Sequence, residues 1–183
     1  MVKEKIKTIE KQPSKTKEEL VKESKRIEES TLHSAKGHFV AASLWSYFHL
    51  SIGIPIVVMS AIAGLSILSQ FDKNKIIAGI LTLVVAGLSA LTTFLNPNGR
   101  SNSHLNCGNS YDALNNKVRI FRTIDCYREK SEDILTEKLK FFSEQKDKLN
   151  STSPGIPWIA YKLAKRGIEK GEADFNVDKV IPA

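Results

Sequence analysis

The sequence lacks charge over two long stretches. No Asp, Glu, Lys or Arg lies between Lys36 and Asp72, and none lies between Lys75 and Arg100. A core helix of a soluble bundle usually keeps a polar stripe, because one of its faces meets water. In both stretches Ser, Thr and Gly are scattered around the helix and no face is charged. The missing charge therefore argues against a soluble core.

These uncharged stretches are long enough to cross a bilayer. Ile76 to Leu95 comprises about 20 residues, which as a helix reach about 30 Å, the thickness of the hydrocarbon core. The short linker from Phe71 to Lys75 makes the two helices antiparallel neighbours. The sequence predicts a transmembrane hairpin over 48–95, with spans at about 48–70 and 76–95 and both termini on one side.

Cysteines are scarce and catalytic motifs are missing. Cys107 and Cys126 are the only cysteines, and on one predicted helix they lie about 28 Å apart, too far to pair. No Ser elbow, CxxC pair or glycine-rich phosphate loop is present. The histidines lack partners at metal-ligand spacing: His33, His38, His49 and His104. The sequence predicts no enzyme, no cofactor and no metal site.

The net charge of +7 favours a place beside anionic lipid headgroups or a negatively charged ligand. No nucleic acid polymer is expected. Close to the spans the cations are balanced, with Lys36 and Arg100 on the terminal side and Lys73 and Lys75 on the loop side. The flanking segments carry the remaining cations and no signal peptide begins the chain, so we expect both termini in the cytoplasm.

The predicted fold is all-α, an integral membrane hairpin whose flanking cytoplasmic helices form a bundle. Its segments are a disordered basic tail (1–15), an amphipathic cytoplasmic helix (16–47), the hairpin (48–95), a cytoplasmic helical region (96–150) and a short amphipathic C-terminal segment with a tail (151–183). Heptad-like spacing marks the packing seams: Leu20, Ser24, Ile27, Thr31, Ala35, Phe39 and Ala42; then Cys107, Tyr111, Leu114, Val118, Phe121 and Ile124; then Ile134, Leu135, Leu139, Phe142 and Leu149.

Turn and cap signals divide these helices. Asn96-Pro97-Asn98-Gly99 predicts a turn, after which Ser101 or Ser103 can cap the next helix. The stretch 158–170 is expected to lie on a bilayer surface or on the bundle, with the bundle slightly favoured. Gly53 and Pro55 predict a hinge, seen as a kink or a break, since Pro55 cannot donate to the carbonyl of Ser51.

Small and hydroxyl-bearing residues recur in both spans, where they let helix backbones approach closely in lipid. They are interpreted as hairpin packing, oligomer contact or the lining of a lumen. Two spans cannot enclose water, so a pore requires a homo-oligomer. The residues concerned are Ser60, Gly64, Gly79, Thr82, Ala86, Gly87 and Ala90.

The order of these elements resembles a known family. A charged lead-in helix, an Ala-rich approach, a tight hairpin and then Asn96, Pro97, Arg100, His104 and Tyr111 at helical intervals are similar to the SLATT domain, the SMODS and SLOG-associating two-transmembrane effector domain. The segment Ser153 to Trp158 and the run Lys170-Gly171-Glu172 resemble the tail of one branch. The resemblance covers roughly 20–175, and the hairpin architecture carries more of it than any single residue.

The resemblance implies a membrane effector of a bacterial nucleotide-signalled anti-phage system that acts by abortive infection. Such an effector would assemble a pore in, or disrupt, the inner membrane when a cyclic nucleotide or a nucleotide-sensing partner protein triggers it. The candidate phosphate or headgroup contacts are Lys117, Arg119, Arg122 and Arg128. A solvated charged stripe is the alternative interpretation of those four residues.

Two other functions stay open at this point. The chain could be a passive membrane anchor or scaffold that recruits a soluble partner through 101–149. It could also be a lipid-binding hairpin that remodels membranes instead of leaking ions.

Overall fold

The computed structural model describes residues 15–68 and 75–175, and all regular elements in those ranges are helical. The helices are α1 (Lys15–Leu68), α2 (Lys75–Leu95), α3 (Pro97–Ile120), α4 (Cys126–Arg128), α5 (Glu132–Thr152) and α6 (Trp158–Glu169). A π-helical turn, Phe121–Asp125, joins α3 to α4. The predicted all-α class is confirmed. Of the predicted disordered tail (1–15), only Lys15 is described, and it is helical. Outside the described residues lie the rest of that tail, positions 69–70 of the first predicted span, positions 71–74 of the linker and positions 176–183 of the C-terminal segment.

Two of the helices are long and apolar enough to cross a membrane. They contain residues 48–68 of the first predicted span and the whole of the second, 76–95. α1 runs through Pro55 without ending, over 54 residues. Of the two alternatives at the predicted hinge, the break is therefore wrong. Pro55 is accommodated inside the helix.

The chain divides into two compact units. The first unit comprises 15–32 and 111–151, and the second unit comprises 33–68, 75–110 and 152–175. The boundary falls within continuous helices, so α1 and α3 contribute to both.

The first unit has a core of large apolar side chains. Val118 and Leu135 are fully buried and Phe121 is 1% exposed. They belong to one cluster whose members come from α1, α3, the π turn, α4 and α5: Leu20, Ile27, Leu114, Val118, Phe121, Cys126, Leu135 and Leu139. The predicted seams along α1 and α3 therefore carry this core.

The π turn shifts the end of the seam by one residue. In an unbroken α-helix the next buried position of the seam after Phe121 would be Ile124 or Asp125. Instead, Ile124 is 44% exposed and Cys126 is only 4% exposed. A π turn adds one residue per turn, which brings Cys126 into register with Phe121. The predicted seam is correct up to Phe121 and wrong at Ile124.

In the first unit, polar side chains of α3 and the π turn form hydrogen bonds to α1. Asn115 donates through its amide to the carbonyl of Glu28, 2.5 Å, and to Oγ1 of Thr31, 3.0 Å. Arg122 donates to both carboxylate oxygens of Glu28, at 2.6 and 3.3 Å. Both side chains of this ion pair are largely shielded from solvent, with 28% and 19% exposed. A bidentate pair of this kind fixes orientation as well as charge.

In the second unit the two long helices pack along regular stripes. Within the spans the buried or half-buried residues of α1 are Ile52, Gly53, Ile56, Met59, Ala63 and Ser66, and those of α2 are Ala78, Leu81, Val85, Leu88, Ser89, Thr92 and Leu95. Apart from Gly53 and Ser89, both sets alternate spacings of three and four, as expected where helices cross at a shallow angle.

Glycines let other side chains approach the helices of the second unit. A Cβ added to Gly108 would lie 2.7 Å from the ring of Phe39, and one added to Gly37 would lie 2.9 Å from Ile156. Phe39 and Ile156 therefore pack into the space that any side chain at Gly108 or Gly37 would occupy. The segment after α5 is held against α1 in this way.

α6 docks through its small residues. Ala160, Ala164 and Gly167 are buried, which agrees with the docking that the sequence slightly favours. Its large apolar side chains face outward, with Trp158 66% and Ile159 48% exposed. A basic residue accompanies them, since the ammonium of Lys162 lies 4.8 Å from the centre of the Trp158 ring. This outward face has the composition of an interfacial helix.

Candidate functional site

Asn96 is the single residue between α2 and α3, and it caps α3. Its Oδ1 accepts a hydrogen bond from the backbone N–H of Gly99, 3.1 Å, with Pro97 at the first helical position, where a missing N–H is harmless. A Cβ at Gly99 would collide with the side-chain amide of Asn96. The cap therefore needs glycine there. The sequence expectation of a cap at Ser101 or Ser103 is wrong, because both lie inside α3.

Asn96 also adopts the left-handed conformation, with φ of 44°. Among ordinary residues, Asn is one of the few that tolerates this region. Its backbone N–H donates to the carbonyl of Thr92, 3.0 Å, and its own carbonyl accepts from Arg100, 3.0 Å. One residue thus ends one helix and starts the next.

Arg100 ties the end of α2 to α1. Its Nε donates to the carbonyl of Leu95, 2.8 Å, which is one of the last four carbonyls that a helix leaves without an internal partner. The guanidinium carbon lies 5.1 Å from the centre of the Trp45 ring, within range of a cation–π contact. One turn further along α1 the ring of Phe48 meets Trp45 edge-on, at 5.9 Å between centroids.

His38 and His104 form a buried pair between α1 and α3. Their Nδ1 atoms lie 2.9 Å apart, so one Nδ1–H donates to the other Nδ1. They are 2% and 4% exposed. Burial, followed by repulsion from His104, lowers the pKa of His38 to about 4. Burial, followed by the charge of Arg100, lowers the pKa of His104. Both rings are neutral at neutral pH.

In the sequence the histidines are considered only as metal ligands, and this hydrogen-bonded pair is not predicted. The spacing of His38 between Ala35 and Ala42 on α1 signals that its side chain is buried, but it does not identify His104 as the partner. One hydrogen bond of Ser101, to the carbonyl of Ala42 at 2.8 Å, joins α3 to the same stretch of α1. We call Asn96, Arg100, His104, Trp45 and His38 the junction.

Three of the five residues that carry the family resemblance belong to the junction, namely Asn96, Arg100 and His104, and a fourth, Pro97, directly follows Asn96 as the first residue of α3. The fifth, Tyr111, belongs to the first unit, where its hydroxyl donates to Oδ1 of Asn150 over 2.8 Å. What these side chains do is cap, tether and pack. In the described parts of the chain no group of three or more His, Cys, Asp or Glu side chains could hold a metal ion.

The small residues of the spans lie on the surface. Ser60, Gly64, Gly79, Thr82, Ala86, Gly87 and Ala90 are all exposed. A Cβ placed on Gly64, Gly79 or Gly87 would meet nothing within 4 Å, and the same holds at Gly53 of the predicted hinge. Three interpretations of this set were open, and the first of them, packing between α1 and α2, is wrong because all seven residues are exposed. Oligomer contact and lumen lining stay predictions.

The four basic residues differ in their surroundings. Arg122 is engaged with Glu28, as described above, and Arg119 is half-buried beside Asn116, with 3.4 Å between Nη2 and Oδ1. Lys117 and Arg128 are exposed. Arg128 lines a cavity together with two acidic residues and one basic one: Asp125, Glu129 and Lys138. A phosphate-binding role stays a prediction, and its most accessible members are Lys117 and Arg128.

Comparison of the chain with protein-family models, with curated proteins and with solved structures finds no match.

Proposed function

We propose that the chain is a two-span membrane protein, with its hairpin in the bilayer and both termini in the cytoplasm of a bacterial cell. The exposure of the spans carries the membrane insertion in this proposal, whereas the cytoplasmic orientation of the termini rests on the charges of the flanking segments in the sequence. In each span, 6% of the most apolar 18-residue window is buried, whereas the core helix of a soluble protein would be mostly buried. Ile76, Leu83 and Phe94 are 77%, 75% and 85% exposed. Apolar patches of this extent mark contact with lipid or protein.

The function favoured for this hairpin is that of an effector in a nucleotide-signalled anti-phage system. When triggered it would assemble as a homo-oligomer and open a pore in, or disrupt, the inner membrane. Two observations support the proposal. Residues that carry the family resemblance build the junction at the end of α2, and the small residues of the spans are exposed, as a contact with further copies requires.

A scaffold that recruits a soluble partner through 101–149 is the second candidate. It is favoured by large apolar side chains on the surface of the first unit. Tyr127, Ile134 and Phe141 are 76%, 45% and 52% exposed, and aromatic residues are enriched in protein interfaces.

Ion flux from liposomes separates the two functions. Purified full-length protein is reconstituted, its insertion is confirmed by flotation and resistance to alkaline carbonate, and efflux is scanned against cyclic di- and trinucleotides. Flux that depends on one nucleotide supports the effector. A silent but inserted protein that co-purifies with a soluble partner supports the scaffold.

Two substitutions in α2 test the oligomer directly. A leucine side chain at position 86 or 87 (Ala86→Leu or Gly87→Leu) causes no clash within a single chain, since both positions are exposed and Gly87 has open space around it. We expect both variants to insert normally and to lose triggered flux, because Leu would hold neighbouring copies apart. Val84→Leu, at a position 45% exposed that already carries a branched side chain, is the matched control. If both variants keep full flux, these residues do not form the oligomer contact.

A further inference from the structure

A groove of about 350 Å³ lies on the second unit, between the last cytoplasmic turns of α1 and α6. Most of its lining is apolar. One cation and one carboxylate complete it. The lining residues are Lys36, Phe39, Val40, Ser43, Leu44, Tyr47, Leu163, Ala164 and Glu172.

The turn after α6 positions the carboxylate of this groove. Gly171 has a φ of 80°. The N–H of Glu172 donates to the carbonyl of Gly167, 3.0 Å, and the N–H of Gly171 donates to that of Ile168, 2.9 Å. This is the Schellman pattern, in which a left-handed glycine reverses the chain. It folds Glu172 back over α6, where its carboxylate occupies the space that a Cβ at Gly167 would take. The run Lys170-Gly171-Glu172 thereby has a structural role.

The two charges of the groove are not paired with each other. In the parts of the chain that the structure describes, no ion pair within 4.0 Å includes Lys36 or Glu172. Both nevertheless line the same cavity. A ligand with an anionic group and a cationic group side by side would satisfy both charges at once.

The apolar part of the groove continues into the exposed surface of the first span. Leu44 and Tyr47 belong to the lining and are 37% and 69% exposed, and Phe48 and Leu50 follow them at 37% and 51%. Lys36 lies 11 residues before Tyr47, about 16 Å along the helix. A chain-like apolar ligand can thus leave the groove along α1 towards the predicted bilayer. The exposed Trp158 of α6 is a residue type that prefers the interface.

We propose that this groove binds one phospholipid with a zwitterionic, primary-ammonium head group, of the phosphatidylethanolamine type. Its phosphate faces Lys36, its ammonium faces Glu172, and an acyl chain follows Val40 and Leu44 towards the span. The proposal rests on the membrane insertion proposed above. The lipid fixes α6 to α1, so that headgroup chemistry in the cytoplasmic leaflet controls how α6 is held.

Lipid binding is measured by native mass spectrometry of the full-length protein in detergent, titrated separately with palmitoyl-oleoyl phosphatidylethanolamine, phosphatidylcholine and phosphatidylglycerol. We expect one tightly held phosphatidylethanolamine per chain and weaker binding of the other two lipids. Lys36→Gln and Glu172→Gln should each weaken it about tenfold, since each removes one charge-assisted hydrogen bond. Val40→Trp should block the groove.

The matched control is the double variant Lys165→Gln, Glu169→Gln, which removes an exposed α6 ion pair of 3.9 Å outside the lining. It should bind as the wild type does. Equal binding of the three lipids, or unchanged binding by both single Gln variants, would overturn the proposal and indicate annular lipid only. Flotation of the same preparations reports insertion separately, so a protein that floats without selective lipid binding refutes this site alone. A protein that does not float refutes the membrane proposal itself.

Discussion

The two units bury opposite kinds of residue. In the first unit the buried positions include Leu, Ile, Val, Phe and Tyr, and the surface carries the charge. In the described part of the second unit every buried residue is Ala, Gly, His or Pro, while its Leu, Ile, Val and Phe side chains are half-buried or exposed. The first pattern suits water, where apolar area is removed from solvent. Of the buried residues of the second unit only Ala63 and Ala78 lie within the proposed spans, and the others belong to the parts of α1, α3 and α6 outside them, where small residues let helix backbones approach closely.

The comparison also explains where each unit is sensitive to substitution. A core of large side chains loses stability when side chains are shortened. A core of small residues loses it when side chains are enlarged. The predictions below use this difference, and each is read by hydrogen exchange of the full-length protein in detergent, which resolves the two units separately.

The largest effect is expected in the first unit. Leu135→Ala removes a side chain that is fully buried, and we expect a loss of about 2–5 kcal/mol in the opening free energy of α5. Ile134→Ala, one residue earlier and 45% exposed, is the control and should cost far less. Equal losses at both positions would mean that the core is not where the structure places it.

Acid should loosen the second unit through the histidine pair. The folded-state pKa of His38 is lowered from 6.5 to about 4, so the neutral pair contributes stability above about pH 6.5 that is lost as the pH falls towards 4. The shift corresponds to a loss on the order of 3 kcal/mol. Arg100 is the neighbouring charge that acts on His104.

A double variant isolates this contribution from the carboxylates that titrate in the same range. His38→Leu with His104→Leu should flatten the loss between pH 6.5 and 4 in the amides of α3 near residue 104. His49→Leu, at an exposed position, should leave the wild-type profile. A double variant with the same acid profile as the wild type would exclude the pair as its cause.

Enlarging a small residue tests the second unit in the opposite sense. Gly108→Ala places a Cβ 2.7 Å from the Phe39 ring. We expect a net loss of about 1–2 kcal/mol in the opening free energy of α3, because the cost of overpacking is larger than the gain in helix propensity on replacing Gly with Ala. Phe39→Leu in the same chain should restore part of that loss. Gly87→Ala, where nothing lies within 4 Å, should not destabilise. If Gly108→Ala changes the opening free energy no more than Gly87→Ala does, Phe39 is not tightly packed against Gly108.

The smallest effect is expected at Asn96. Asn96→Ala removes the cap on Gly99 and places a less tolerant residue at a φ of 44°, so about 1 kcal/mol should be lost from the first turn of α3. Asn96→Gly should lower the stability of that turn by only a few tenths of a kcal/mol, since glycine accepts that conformation. A larger loss for Gly than for Ala would contradict the conformational part of this explanation.

Regular patterns made most of the fold predictable. The seams through Leu114, Val118 and Leu135 repeat at helical spacing, and burial follows that spacing directly. The π turn was not predictable, because its extra residue carries no distinct sequence mark. The cap was predicted at the wrong residue, although Asn before Pro97 is a favourable start for a helix.

The contacts of the candidate site depend on pairs that are distant in sequence. His38 and His104 are 66 residues apart, and nothing in either local sequence identifies the other as its partner. Arg100 and Trp45 are similarly separated. The outward direction of the small residues from Ser60 to Ala90 also needed the structure, because spacing alone does not say which helix face meets its neighbour.

The most direct test of the proposed membrane hairpin is the accessibility of single cysteines to a membrane-impermeant maleimide in spheroplasts. Cys107 and Cys126 are replaced by Ala, and one cysteine is introduced by Asn74→Cys or by Ala183→Cys. We predict labelling at position 74 in intact spheroplasts and labelling at position 183 only after lysis. Labelling of both positions without lysis, or of position 183 alone, would contradict a two-span hairpin with cytoplasmic termini.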